Sequence, residues 1–135
     1  MHPKTVALQA RTQKFAASVI HFCESLPATT ACQRVSGQLI DSAGGTDSNY
    51  RAACRARSKA EFIAKLGVAI EEADESKGWL ELLVASSQVT ADVAAPLIQE
   101  ADELTAIFVK SRKTAEANKA EQDRFSRESR RRPPR

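Results

Sequence analysis

Apolar residues recur along this chain at alternating steps of three and four, the period of a helix with one face turned to a core. In the first stretch Leu8, Thr12, Phe15, Val19, Phe22 and Leu26 fall on one seam. Pro27 ends it, because proline cannot donate the next backbone hydrogen bond. A third stretch opens with "SKAE", in which the Ser58 hydroxyl can accept from the Glu61 amide while the Glu61 carboxylate reaches back, a capping box. Its seam runs through Phe62, Leu66, Ala69, Ala73, Ser76, Leu80 and Leu83, broadened by Ile63, Ile70 and Val84. A fourth opens at Thr90 or Asp92 and continues through Ala94, Leu97, Ala101, Leu104 and Phe108. Pro96 is tolerable there only if it sits in the first turn.

The second stretch is less regular. Val35, Leu39, Ala43, Tyr50 and Cys54 fit one face, but Gly44 and Gly45 interrupt it. Each glycine costs a helix interior about 1 kcal/mol relative to alanine. Either the helix breaks there, or the uniformly small "SAGGTDS" lets a neighbouring helix approach closely. The second option predicts one helix from about Thr30 to Arg55, with a kink at Gly44 as its weakest point. Four segments of about 20–28 residues, each ~30–42 Å long at 1.5 Å per residue, describe an all-α fold: an antiparallel up-down-up-down four-helix bundle. The bundle domain is expected over residues 1–118.

Composition agrees with helices. Apolar residues are 42% of 135, much of that alanine, aromatics only 5%, and there are five glycines and five prolines. No apolar run approaches the ~20 residues of a membrane span, and the N-terminus lacks a secretory pattern, so a cytoplasmic protein with no membrane partner is expected. Cys23, Cys32 and Cys54 are odd in number and lack metal or disulfide spacing, which points to reduced, buried thiols. The net charge of +3 hides a split, since residues 1–109 hold 10 Lys/Arg against 13 Asp/Glu and residues 110–135 hold 10 against 4. No apolar residue follows Phe125, so residues 119–135 are expected to form a disordered basic arm.

The stretch "NYRAACRARSKAEFIAKLGVAIEEADESKGWLELL", from Asn49 to Leu83, resembles the signature of the four-helix-bundle family associated with 23S rRNA intervening sequences, as does "APLIQEADELTAIFVKSRKT". "SGQLIDSAGGTDSNYRAA" is similar to that family's second helix, with "AGGTD" the point of departure. The resemblance covers roughly residues 10–114 and leaves the C-terminal arm outside. It implies an antiparallel bundle assembled as a homopentamer. It also implies kinship with accessory proteins of diversity-generating retroelements, which bind a reverse transcriptase and nucleic acid through a basic surface. It implies no enzymatic activity.

The residues themselves offer catalysis little. His21 and Cys23 are two apart on a helix and point to opposite sides, and no Glu-x-x-His motif of a di-iron bundle occurs. Glu71, Glu72, Asp74 and Glu75, with Glu100, Asp102 and Glu103, form charge runs that read as solvated or salt-bridged faces ahead of a carboxylate metal site. "GGTDSN" lacks the lysine of a phosphate loop. No catalytic, cofactor or metal residue is therefore assigned. Candidate residues for RNA, DNA or another partner are Arg51, Arg55, Arg57, Lys59 and Lys65 at the second corner, since arginine clusters match phosphates. The competing reading pairs the arginines with Glu61, Glu72 or a neighbouring subunit's carboxylates. Arg130, Arg131 and Arg132 join Arg124, Arg127 and Arg135 in the arm. Trp79, Leu82 and Val84 make the end of the third helix apolar on more than one face, which suggests an oligomer interface.

Overall fold

A computed structural model describes residues 1–134. Its elements are four helices: α1 (Pro3–Glu24), α2 (Thr30–Cys54), α3 (Lys59–Ala85) and α4 (Ala91–Arg131). Successive helices are antiparallel neighbours, α1 on α2, α2 on α3 and α3 on α4, while α4 returns toward α1 and closes on it more sparsely. This is the up-down-up-down bundle that the periodicity predicts.

Each helix starts where a side chain can serve its free amides. His2 accepts from the Lys4 amide through Nδ1 at 3.0 Å, ahead of Pro3 in the first helical position, so the terminus is capped rather than loose. Thr29 accepts from Cys32 at 3.2 Å, Ser58 from Glu61 at 3.0 Å and Thr90 from Val93 at 3.3 Å. Glu61 reaches back to the amide of Arg57 at 3.1 Å, one residue further than the capping box requires. With Thr90 as cap, Pro96 stands sixth in α4 rather than in the first turn. The cost is one missing hydrogen bond to the Asp92 carbonyl at an exposed helix start, where water can replace it. α3 ends in a Schellman turn: Gln88 donates to the Leu83 carbonyl at 2.9 Å and Ser87 to Val84 at 3.0 Å. Ser87 takes the left-handed conformation there, with φ of 61°.

The seams become the core. Phe15, Val19, Leu39, Leu66, Leu80, Leu83, Leu104 and Phe108 are all buried, and Tyr50 stacks on Phe108 with ring centroids 5.3 Å apart. α2 and α3 pack through small residues. Ser42, Ala43 and Thr46 face Ala69, Ala73 and Ser76, all buried, and the Ser42 and Ser76 hydroxyls meet at 2.8 Å. This contact explains why α2 runs unbroken through Gly44 and Gly45, with neither glycine at positive φ. A Cβ on Gly45 would stand 2.7 Å from Glu72 Oε2, so Gly45 admits a side chain from α3, whereas Gly44 meets nothing within 4 Å. One glycine serves packing; the other does not.

The expected disordered arm does not match the chain as far as Arg131, which continues α4 as helix. Its residues explain this. Glycine and proline are absent from residues 97–132, and Lys119–Asp123 at 2.7 Å and Arg112–Glu116 at 3.5 Å are ion pairs one turn apart. From Ala120 to Pro134 every residue is exposed, so α4 overhangs the bundle. The expectation for Arg135 lies outside the described residues.

Candidate functional site

The antiparallel arrangement gathers residues that are far apart in sequence at the two ends of the bundle. The start of α1, the α2–α3 corner and the C-terminal part of α4 share one end. Cross-links fix the register: Thr12 donates to Asp47 at 2.9 Å, Lys77 pairs with Asp102 at 2.8 Å, and Arg11 bridges Glu100 at 2.6 Å and Glu103 at 2.7 Å. Cut at mid-height, the molecule is electrically polarised. Residues 1–14, 43–72 and 106–134 carry 17 Lys/Arg and 8 Asp/Glu, whereas residues 15–42 and 73–105 carry 2 and 9. The sequence split of acidic body and basic tail is thus a different partition in space, with the body's own cations joining the tail at one end.

Arg55, Arg57 and Lys59 sit on the α2–α3 corner, all exposed. Arg55 is the C-cap of α2, where a cation also complements the helix dipole. Arg51, one turn earlier, is drawn to Asp47 at 3.7 Å. Among the described residues, no carboxylate lies within 4.0 Å of a charged nitrogen of Arg55, Arg57, Lys59 or Lys65. Glu61 is spent on the cap of α3 and Glu72 points at Gly45. Among the described residues, then, these four cations make no close ion pair, and Asp123 is the carboxylate whose field reaches Lys59. Lys59 lines a shallow depression of about 370 Å³ with Asn118, Glu121, Gln122, Arg124, Phe125 and Glu128 of α4, so the corner and the overhang form one surface. Arg130 and Arg131 occupy the last turn of α4 and Arg132 caps it, further out on the same element.

The three apolar candidates separate. Trp79 is half-buried against the core and its indole N–H donates to Glu75 at 3.3 Å, and Leu82, one turn on, is 48% exposed. Val84 lies on the other flank of α3, in a groove of about 560 Å³ with Glu81, Ala85, Ala91, Ala95, Ile98, Gln99 and Asp102. Sequence reasoning missed this groove because half of it comes from α4, and the only advance signal was alanine at 85, 91 and 95.

The titratable groups show little tuned chemistry. Burial pushes the Cys23 thiol up, with a hydrogen bond from Ser36 opposing. Burial, with Glu75, Glu71 and Asp41 nearby, holds the Glu72 carboxyl above its usual range. Burial also raises the Tyr50 phenol. Among the described residues, no three His, Cys, Asp or Glu side chains are gathered to hold a metal ion. No described helix is long and apolar enough to cross a membrane.

Residues 4–110 match the family described as 23S rRNA-intervening sequence protein. The chain belongs to that family. Among solved structures it is similar to a protein of unknown function from the S23 ribosomal protein family of Bacteroides thetaiotaomicron VPI-5482, with 26% identity and a TM-score of 0.74. The match covers 98% of that chain but 82% of this one. No curated protein matches. The family match ends at residue 110, and the last stretch of α4 with its arginines lies beyond it.

Proposed function

We propose that the protein is a non-catalytic, homo-oligomeric interaction module that engages nucleic acid, or an enzyme acting on it such as a reverse transcriptase, through the basic end of the bundle. The observation that carries this reading is the polarised charge, with 17 Lys/Arg at one end and four corner cations that have no carboxylate within 4.0 Å among the described residues. Phosphate binding needs clustered, unneutralised cations, and it needs no aromatic platform when no sequence is read. Family membership supports assembly with further copies, and the homopentamer is the form the resemblance implies.

Duplex RNA titrated against the full chain tests the proposal. Affinity should fall steeply with salt, with a log–log slope of about −0.9 per phosphate engaged. Arg55→Glu with Arg57→Glu should weaken binding about tenfold or more at low salt and flatten that slope. Absence of binding at low ionic strength sinks the nucleic-acid reading. A second reading, a scaffold oligomer with no nucleic-acid role, is favoured by the exposed Leu82 and Val93 at the acidic end. It predicts concentration-dependent mass with no RNA binding.

A further inference from the structure

Two apolar features outside the core have no partner among the described residues, and they lie at opposite ends. The first is Phe125. The core seam of α4 runs through Leu104 and Phe108, and steps of three and four carry it on through Ser111, Ala115, Asn118 and Gln122 to Phe125. By that point α4 has passed the start of α3 at Lys59, so a residue in core register is 68% exposed on the overhang. The second is the groove between the end of α3 and the start of α4, floored by Val84, Ala85, Ala91, Ala95 and Ile98 and rimmed by Glu81 and Asp102. Val93 stands exposed near it at 56%.

We propose that the two belong together in different molecules: Phe125 of one copy seats in the α3–α4 groove of a second copy, head to tail. This deepens the homo-oligomer reading above and rests on it. Three observations support that occupant. The two halves of the bundle that carry them are complementary in charge, 17 Lys/Arg to 8 Asp/Glu in the half with the knob and 2 to 9 in the half with the groove. Glu121 and Glu128 flank Phe125 on its own helix, but Arg124, Arg127, Arg130, Arg131 and Arg132 outnumber them. The rim offers a counter-charge, because Asp102 is tied to Lys77 whereas no cation within the described chain lies within 4.0 Å of Glu81. Finally, the overhang lies beyond the family match, which ends at residue 110, so its exposed aromatic is not required by the bundle itself. An aromatic anchor flanked by arginines, set in an apolar recess with an acidic rim, has the composition of an interface hot spot. Each copy carries both halves, so the contact is heterologous and repeats until a ring closes or a filament grows.

Sedimentation velocity of the full chain without nucleic acid tests this. Phe125→Glu and Ala95→Arg each change an exposed position, one on the knob and one in the groove. Each should weaken association about tenfold or more, as expected for loss of a central aromatic contact. Phe125→Glu keeps an intact groove and Ala95→Arg an intact knob, so an equimolar mixture of the two should regain a one-to-one complex that grows no further. Wild-type association that survives both substitutions unchanged overturns the docking while leaving assembly through another face. A wild-type chain that stays monomeric overturns the docking and the homo-oligomer together. RNA binding retained by Ala95→Arg, which lies at the end opposite the basic surface, separates this proposal from the nucleic-acid reading.

Discussion

Gly44 and Gly45 are adjacent, both helical, and differ in what a methyl group would meet. At Gly44 an added Cβ enters open space, so Gly44→Ala should stabilise the fold by about 0.5–1 kcal/mol through helix propensity alone. At Gly45 the same methyl meets the end of the Glu72 side chain, which must swing aside, and Gly45→Ala should gain less. Urea unfolding midpoints of the two variants check the ranking. Glu72 adds a pH effect with a definite sign. Burial raises its folded pKa above the unfolded value, so the native state binds the proton more tightly, and stability falls as pH rises from the unfolded pKa through the folded one. Glu72→Gln should therefore raise Tm at pH 7 and lose that advantage below about pH 4, where the unfolded carboxyl is also protonated. Thermal melts of both proteins across that range decide it.

At the scale of elements, seam positions and caps were legible, since a three-four repeat and a Ser-x-x-Glu both act locally. The start of α4 was less so, because Thr90 and Asp92 are both good caps and only the register against α3 chooses between them. The helical overhang was the main miss. Reading helix from apolar content treats a segment with nothing to pack on as a coil, yet residues 111–132 hold no glycine or proline and pair charges one turn apart. An overhang that contacts little should contribute little to bundle stability. Ending the chain after Lys119 should leave the urea midpoint of the bundle unchanged, and trypsin should cut first at Arg124, Arg127 and Arg130. A large fall in midpoint on truncation would mean that the overhang packs on the bundle after all. α1 holds the opposite distinction: it packs on α2 along its length, but its edge toward α4 is held by the Arg11 bridge to Glu100 and Glu103.

For the whole molecule, the candidate site was half legible. Arginine spacing marked the α2–α3 corner, and composition marked the basic C-terminus, but their fusion into one surface through Lys59 and residues 118–128 depends on antiparallel topology. The pairing of the corner arginines was not legible at all. It turned on Glu61 being consumed by a cap and Glu72 being lodged over a glycine, two contacts that lie off the arginines' own face. Truncation after Lys119 also carries a functional expectation: RNA affinity should drop and its salt slope flatten, while the corner cations retain part of the binding. Filter binding across a salt series measures both.

The charge separation along the bundle has a consequence for how the molecule behaves toward any charged surface. A protein with a net charge of +3 and a pI near 8.9 should, by its total, run straight through an anion exchanger at neutral pH. Retention is governed by the patch that faces the resin, since the screening length is about 30 Å even at 0.01 M salt, shorter than the ~60 Å over which the 41 residues of α4 extend. One end of this bundle is a cation and the other an anion, so the same preparation should be retained on both kinds of column at low salt, entering each by a different pole.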